Sequence, residues 1–322
     1  MPIRLSDLIE RVPKATEGKV KQTRDRTRSI VQEALRSECR LSLRTPAEMK
    51  ENRAGGQVPV EIAPGYPELL ERIEFPDDYE MKLLIARYQK AIENSVHGTS
   101  GLMDLHEALA KREQIGWVKV TQDQMKATHE WALELQKILA DFDPLQRILS
   151  LNEDILGAYF YDVRDFYADE QSVNKASIQL YWGVIGLVSE WLGCTVEDLT
   201  IVVLAHELAH AYTQLGADIE GRRWRAVDFS NAEKGLKEGL AQYYTDRVLN
   251  RLAGRYPGAL EAYEKMLPGQ PAAYQQHRPW IEDASPEAVR RATLEVRRWR
   301  EGKLDDFNKR LADAQRGLSP AG

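Results

Sequence analysis

Cysteine is scarce in this chain, and a net positive charge and long apolar runs are lacking. Only two cysteines occur, Cys39 and Cys194, so no disulfide framework is expected and a reducing compartment fits. The opening residues MPIRLSDLIERV lack the apolar core of a signal peptide, and no window approaches the ~18 apolar residues of a membrane span. We therefore expect a soluble, cytoplasmic protein without a membrane partner.

The charge balance argues against nucleic acid as a partner. The formal net charge is −6, whereas binding to a phosphate backbone needs clustered Lys and Arg. The distribution is uneven, because residues 1–53 carry thirteen Lys/Arg against eight Asp/Glu. We interpret this basic segment as a solvated helix face, with docking of a protein partner as the alternative.

The organisation of the chain predicts an α+β fold that is predominantly helical. A basic, partly mobile segment (1–55) precedes a helical N-terminal lobe (56–149), then a region of strands and helices (150–285), then a C-terminal helix and tail (286–322). Helices followed by two or three strands and more helices do not give the βαβ alternation of a doubly wound sheet.

Two short segments after residue 150 predict the strands of a small mixed sheet. ILGAYFYD and ASIQLYW are rich in aromatic and β-branched residues. In the second, Ile178, Leu180 and Trp182 alternate with polar residues, as in a half-buried strand. Thr195 and Asp198 then predict the start of a helix that Gly216 ends.

That helix carries the stretch TIVVLAHELAHAYTQLGAD, which holds two of the six histidines. His206 and His210 are one turn apart on the same face, so both can reach a single ion. Glu207 is rotated by about 100° and projects beside the ion, where it can take a proton from an activated water. Imidazole nitrogens suit Zn²⁺. Two locally bonded histidines on a buried helix are the alternative, but burial of this set without a strong partner is costly.

A catalytic zinc needs a third protein ligand and keeps one position open for water. The other histidines, which are His97, His106, His129 and His277, form no second pair. Cys194 is predicted to end a different helix. A carboxylate downstream of the motif is therefore the favoured third ligand.

HELAH followed by KEGLAQYY, residues 237–244, resembles the gluzincin group of zinc metallopeptidases. The resemblance implies a zincin-like catalytic domain at 150–285, in which Glu238 is the third zinc ligand. It implies that Gly239 and Ala241 allow close packing on the active-site helix, and that ASIQLYW resembles the edge strand that binds extended peptide. Glu233 and Asp218 remain alternative third ligands.

The chain departs from the thermolysin-like pattern in two places. The 27 residues between His210 and Glu238 exceed that pattern, and Gln242 stands where those enzymes have an aspartate that orients a ligand histidine. Asp218 or Asp246 is expected to supply that orientation instead.

The resulting functional prediction is a zinc metallopeptidase that cleaves peptide or protein substrates through a zinc-activated water, with Glu207 as general base. Alternatives are a zinc hydrolase of another amide or acyl substrate, and a non-catalytic, zinc-stabilised interaction module. AYQQHRPWIED is interpreted as a surface loop, or alternatively as a lid. The candidates for stabilising the transition state are Tyr243, Tyr244 and His277, together with Tyr212, Arg222 and Arg223.

Overall fold

The computed structural model describes residues 3–43, 58–64, 66–67, 70, 73–75, 78–86, 88–110, 118–140, 142, 144–149, 155–161 and 176–318. The tail predicted after residue 318 lies outside the described residues, as does part of the predicted N-terminal segment. The described residues are mostly helical and include a small mixed sheet, which agrees with the α+β class.

The elements follow one another in an order that alternates helical blocks with short strands. In chain order they are β1 (Ile3–Arg4), α1 (Leu5–Glu10), α2 (Ala15–Cys39), β2 (Val60–Ala63), β3 (Glu74–Phe75), α3 (Tyr79–Ala86), α4 (Gln89–Ala110), α5 (Val118–Ala140), α6 (Pro144–Leu149), β4 (Gly157–Tyr161), β5 (Ala176–Tyr181), α7 (Trp182–Leu192), α8 (Val196–Leu215), α9 (Ala226–Asn231), α10 (Lys234–Leu252), α11 (Pro257–Met266), α12 (Arg278–Asp283), α13 (Pro286–Trp299) and α14 (Leu304–Leu318).

The described chain divides into two compact units. One unit combines Met1–Asp7 with Arg72–Pro144, and the other combines Leu8–Glu71 with Leu145–Gly322. The C-terminal helices and most of the N-terminal segment therefore belong to the same unit as residues 150–285.

The smaller unit is built on a helical pair. Within it, α4 and α5 pack against each other, and β1 pairs with β3 in antiparallel fashion. The ring of Tyr79, at the start of α3, lies between Phe75 and Phe142, with centroids 4.7 Å and 5.5 Å away.

In the larger unit, α2 is a helix of 25 residues with one packed side, and its other side is the solvated face that the sequence predicts. Its buried side chains recur every three or four positions, and the helix lies against α8. Three of those side chains are threonines, Thr16, Thr23 and Thr27, so apolar periodicity alone did not reveal the face. The basic residues, such as Lys21 and Arg26, occupy the exposed side.

The sheet of the larger unit has the order β2-β5-β4 among the described strands. β5 is parallel to β2 and antiparallel to β4, with Ile178 opposite both Val60 and Tyr159. The expectation that ASIQLYW forms the edge strand is therefore wrong, because β5 is paired on both sides. Among the described strands β2 and β4 occupy the two edges instead, and Trp182 begins α7 rather than continuing the strand.

Helix α8 begins as its sequence predicts. The Thr195 side chain accepts a hydrogen bond from the Asp198 amide, and two acidic residues occupy the first turn. Every residue from 199 to 214 is buried, so the helix runs through the core on all sides. None of the helices within the described ranges has the length and apolarity needed to cross a bilayer.

Candidate metal centre

Two helices bring together the three side chains that the sequence and the resemblance single out as ligands. α8 supplies His206 and His210, and α10, which packs along α8, supplies Glu238. The two Nε2 atoms are 3.2 Å apart, and Oε2 of Glu238 lies 3.4 Å from the first and 3.2 Å from the second. Within the described part of the chain, this is the one group of three His, Cys, Asp or Glu side chains whose possible ligand atoms all lie within 4.8 Å of one another.

The shape of this triangle fits a tetrahedral metal ion. Ligand atoms about 2.0–2.1 Å from a zinc ion, at tetrahedral angles, lie about 3.3 Å from one another. The three observed edges of 3.2–3.4 Å match that separation without any rearrangement. Two imidazoles and one carboxylate also form a donor set that zinc prefers in catalytic sites.

The electrostatics of the cluster favour an ionised Glu238. Burial by itself would raise the pKa of this carboxyl group, but attraction to His210 and hydrogen bonds with both histidines outweigh it, and the pKa falls well below its usual range. Glu238 is 5% exposed. A buried carboxylate beside two imidazoles is stable when a cation shares the site.

The two alternative third ligands lie elsewhere. Glu233 is the residue before α10, and its Oε2 accepts a hydrogen bond from the Leu304 amide at 2.7 Å. Asp218 lies in the turn after α8, where its Oδ1 accepts from the amides of Glu220 and Arg222. Neither carboxylate belongs to the cluster.

Glu207 is 2% exposed and lines a pocket of about 40 Å³ together with His206. This volume is enough for about one to three water molecules. A Cβ atom on Gly157 of β4 would lie 3.0 Å from Cγ of Glu207 and 2.8 Å from Cγ1 of Val203. Glycine at this position therefore lets β4 lie directly against α8.

Two tyrosines that were not among the sequence candidates hold the histidine rings. The ring of Tyr159 in β4 is parallel to His210, with centroids 6.4 Å apart, and its hydroxyl donates to Gln214. The ring of Tyr274 stacks on His206 at 5.9 Å. Both tyrosines lie far from HELAH in the sequence, and no pattern of residues links them to it.

Tyr274 also corrects the interpretation of residues 273–283 as a surface loop. The 3₁₀ segment Ala272–Gln275 packs against α10, and Tyr274 is buried. This segment covers one side of the metal centre.

Two of the predicted transition-state residues, Tyr243 and Tyr244, are not among the residues that line the pocket. Burial raises the pKa of Tyr243 to about 12, and its charged neighbours include Arg247 and Glu38. Tyr244 lies near Cys39 and Thr293, on the side of α2 and α13, and its ring contacts Tyr243 edge to face.

His277 has a structural role close to the centre. Its Nδ1 donates to the Tyr274 carbonyl, and its Nε2 accepts from the Tyr263 hydroxyl, both at 3.0 Å. Burial lowers its pKa to about 4, so the ring is neutral at physiological pH. His277 thus fixes the segment that carries Tyr274.

Several other residues singled out in the sequence pack against parts of the protein other than the ligand triangle. The Tyr212 hydroxyl donates to the Gln32 carbonyl, and Gly239 fits against Trp280 and not against α8. Arg222 and Arg223 line a separate cavity. None of these residues belongs to the ligand triangle.

The orientation expected from Asp218 or Asp246 is not supplied by either residue, since Asp246 accepts from Asn250. Nδ1 of His206 is buried and has no hydrogen-bond partner among the described residues. Gln242, at the position of the aspartate in the thermolysin-like pattern, lines the pocket beside Glu207 and donates to Gln270.

Comparison of the chain with protein-family models, with curated proteins and with solved structures gives no match. The function is therefore inferred from the geometry of the centre.

Proposed function

We propose that this protein is a zinc-dependent metallohydrolase of the gluzincin type, with peptides as its substrates. His206, His210 and Glu238 hold the metal. The observation that carries the proposal is the triangle of ligand atoms, whose edges suit tetrahedral zinc. A helix with HELAH supplies two corners, and a helix with EGLA supplies the third.

We assign to Glu207 the transfer of protons from the attacking water and to the leaving group. Zinc in such a site lowers the pKa of a bound water toward neutrality and polarises the carbonyl group that is attacked. The Glu207 carboxylate accepts a proton from the attacking water and then delivers it to the leaving amine. Its place in a pocket that has room for water, next to His206, supports this role.

The edge strand β4 is assigned the binding of an extended substrate. Its inner side pairs with β5, and no described strand pairs with its outer side. Tyr159 contacts His210 from this strand, so β4 runs past the metal ligands. A peptide that adds to β4 would pass along the centre, an arrangement that supports a zincin-like architecture.

A non-catalytic metal module is the second candidate, and one observation favours it. The three ligand residues are no more than 9% exposed, and the pocket beside them is small, as in closed structural sites. Glu207 argues against this candidate, because a structural site needs no general base. Hydrolysis of a different amide or acyl bond would use the same residues.

The test combines metal analysis with a single substitution. Purified wild-type protein should contain about one zinc ion per chain and should cleave members of a peptide library. Glu207→Gln should retain the zinc and lose at least about 100-fold in kcat. Stoichiometric zinc without cleavage of any peptide, amide or ester by the wild type would establish the structural module. Absence of specific metal binding would overturn the whole proposal.

A further inference from the structure

A second cavity lies at the C-terminal end of α8, away from the ligand triangle. Its volume is about 810 Å³, within the range of sites for small ligands. Three separate parts of the larger unit form it: the end of α2, the turn and loop after α8, and the face of α13. It has no role in the proposed hydrolysis.

The lining of this cavity, which we call the arginine cavity, is strongly basic. It contains eight arginines against three carboxylates. Some arginines have acidic neighbours, since Arg222 pairs with Glu220 and Arg40 lies 3.7 Å from Glu287 outside the lining. Arg225 likewise pairs with Asp228, and Arg223 donates to the Leu43 carbonyl.

Arg297 lies in the lining although it is only 7% exposed. Its Nη2 donates to the carbonyls of Gly216 and Arg222, at 2.6 Å and 2.9 Å, which fixes the guanidinium at the end of α8. Its Nη1 is buried and has no hydrogen-bond partner among the described residues. The same is true of Nε in Arg290, which lies about two turns earlier on α13.

These unsatisfied donors indicate a ligand. Buried polar atoms in folded proteins almost always have a partner, and a charged donor without one is costly. Burial lowers the pKa of Arg297 to about 10, so the group still carries its charge at neutral pH. A fixed, buried guanidinium whose Nη1 still has donors to offer matches an oxygen of a compact anion.

We propose that the arginine cavity binds a small phosphorylated molecule that carries at least two phosphate groups. Arg290 and Arg297 contact one phosphate at the inner wall, and Arg298 neutralises the next. The side chains of Leu41 and Leu294 provide apolar contact for the rest of the ligand. This binding site is independent of the metal centre.

The shape favours a small molecule over a polymer. Long nucleic acids and membrane surfaces are bound by extended basic faces, whereas these arginines converge on one concave space. The whole chain is acidic, with a net charge of −6, so a general attraction to polyanions is not expected.

The test uses inorganic pyrophosphate as the probe, titrated calorimetrically into the full chain at low salt. Saturable binding at one site per chain is expected. The double variant Arg290→Gln/Arg298→Gln should bind at least about tenfold more weakly, because charged hydrogen bonds to phosphate are lost. Arg291→Gln, which changes an exposed arginine of the same helix outside the cavity, should bind as the wild type does.

Two further variants distinguish the arginine cavity from anion binding at the metal centre. Glu238→Gln removes a metal ligand and should leave pyrophosphate affinity unchanged. If that variant loses binding, the anion is held by the metal and the proposal is overturned. Equal affinity of the double variant and wild type, or tighter binding of a hexaglutamate peptide than of pyrophosphate, would also overturn it. Arg297→Lys, if folded by circular dichroism, should weaken binding because a lysine ammonium group has no second nitrogen that could donate to phosphate while the first holds the two carbonyls.

Discussion

Nε2 of His210 lies 3.2 Å from Oε2 of Glu238, although 27 residues separate the two in the sequence. The loop after α8, together with α9, spans this interval, and α10 then returns along α8. The long gap is therefore compatible with a complete ligand triangle, because helix packing and not sequence distance sets the third corner.

Replacement of Glu238 should selectively destroy metal binding. Glu238→Gln keeps the shape of the side chain but removes the anionic ligand. Loss of a residue that only hydrogen-bonds to a metal ligand lowers metal affinity by about 10–100-fold. Because Glu238 is itself a ligand, we expect a larger loss of zinc affinity. A chelator competition assay measures this. Glu233→Gln is the matched control, and a comparable loss there would mean that the wrong carboxylate has been assigned.

Removal of the metal should lower thermal stability. A ligand bound only by the folded state stabilises it by about 2.7 kcal/mol when its free concentration is 100 times its Kd. The wild type should therefore melt at a lower temperature after treatment with a chelator and recover when zinc is added back. His210→Ala should show no such difference in differential scanning calorimetry. A zinc-dependent shift of equal size in that variant would place the stabilising ion elsewhere.

Gly157→Ala should disturb the contact between β4 and α8. The new methyl group would lie 2.8 Å from Cγ1 of Val203 and 3.0 Å from Glu207, so we expect a loss of about 1–3 kcal/mol in the free energy of unfolding. Urea denaturation measures it. Gly18→Ala on α2 meets no atom within 4 Å and should raise stability by about 0.5–1 kcal/mol. A neutral effect at Gly157 would contradict the close approach.

The titration of His277 should make stability fall in mild acid. Its pKa is about 4 in the folded state, because of burial, and about 6.5 in an unfolded chain. The unfolded state therefore binds a proton first as the pH drops below 6.5, and stability is lost until the pH nears 4. The contribution is about 2 kcal/mol between pH 7 and pH 5.

His277→Gln removes this titration, so the free energy of unfolding should depend less on pH between pH 7 and pH 5. Urea unfolding at each pH, in excess chelator so that metal release does not contribute, gives the comparison. Parallel pH profiles for the two proteins would show that His277 is not held neutral.

Loss of the helix cap at Thr195 should weaken the start of α8. Thr195→Ala removes the acceptor of the Asp198 amide and should cost about 1 kcal/mol. Ser29→Ala, at an exposed position of α2, is the control and should have little effect. Equal urea midpoints for Thr195→Ala and the wild type would show that another group caps α8.

The short-range features were predictable because helix geometry determines them. His206 and His210 lie one turn apart on any α-helix, and the cap at Thr195 follows from local rules. The class of the fold followed from the order of strands and helices. These predictions need no knowledge of which segments meet.

The packing of α2 was not predictable from apolar periodicity, because threonines supply much of its buried face. The edge position of β4 was also missed. β5 has one parallel neighbour, β2, in which Val60 lies opposite Ile178, 118 residues later in the chain. Pairing over that distance leaves no mark on the local sequence.

By itself, the sequence determined a helix that presents two imidazoles and a glutamate at metal-binding spacing, since 3.6 residues per turn is a property of the backbone. Only the tertiary structure decided that Glu238, and not Glu233 or Asp218, completes the triangle. It alone brought Tyr159 and Tyr274 to the histidines and gathered arginines from three segments around one cavity. These choices depend on how buried surfaces fit across long stretches of chain, which residue spacing does not encode.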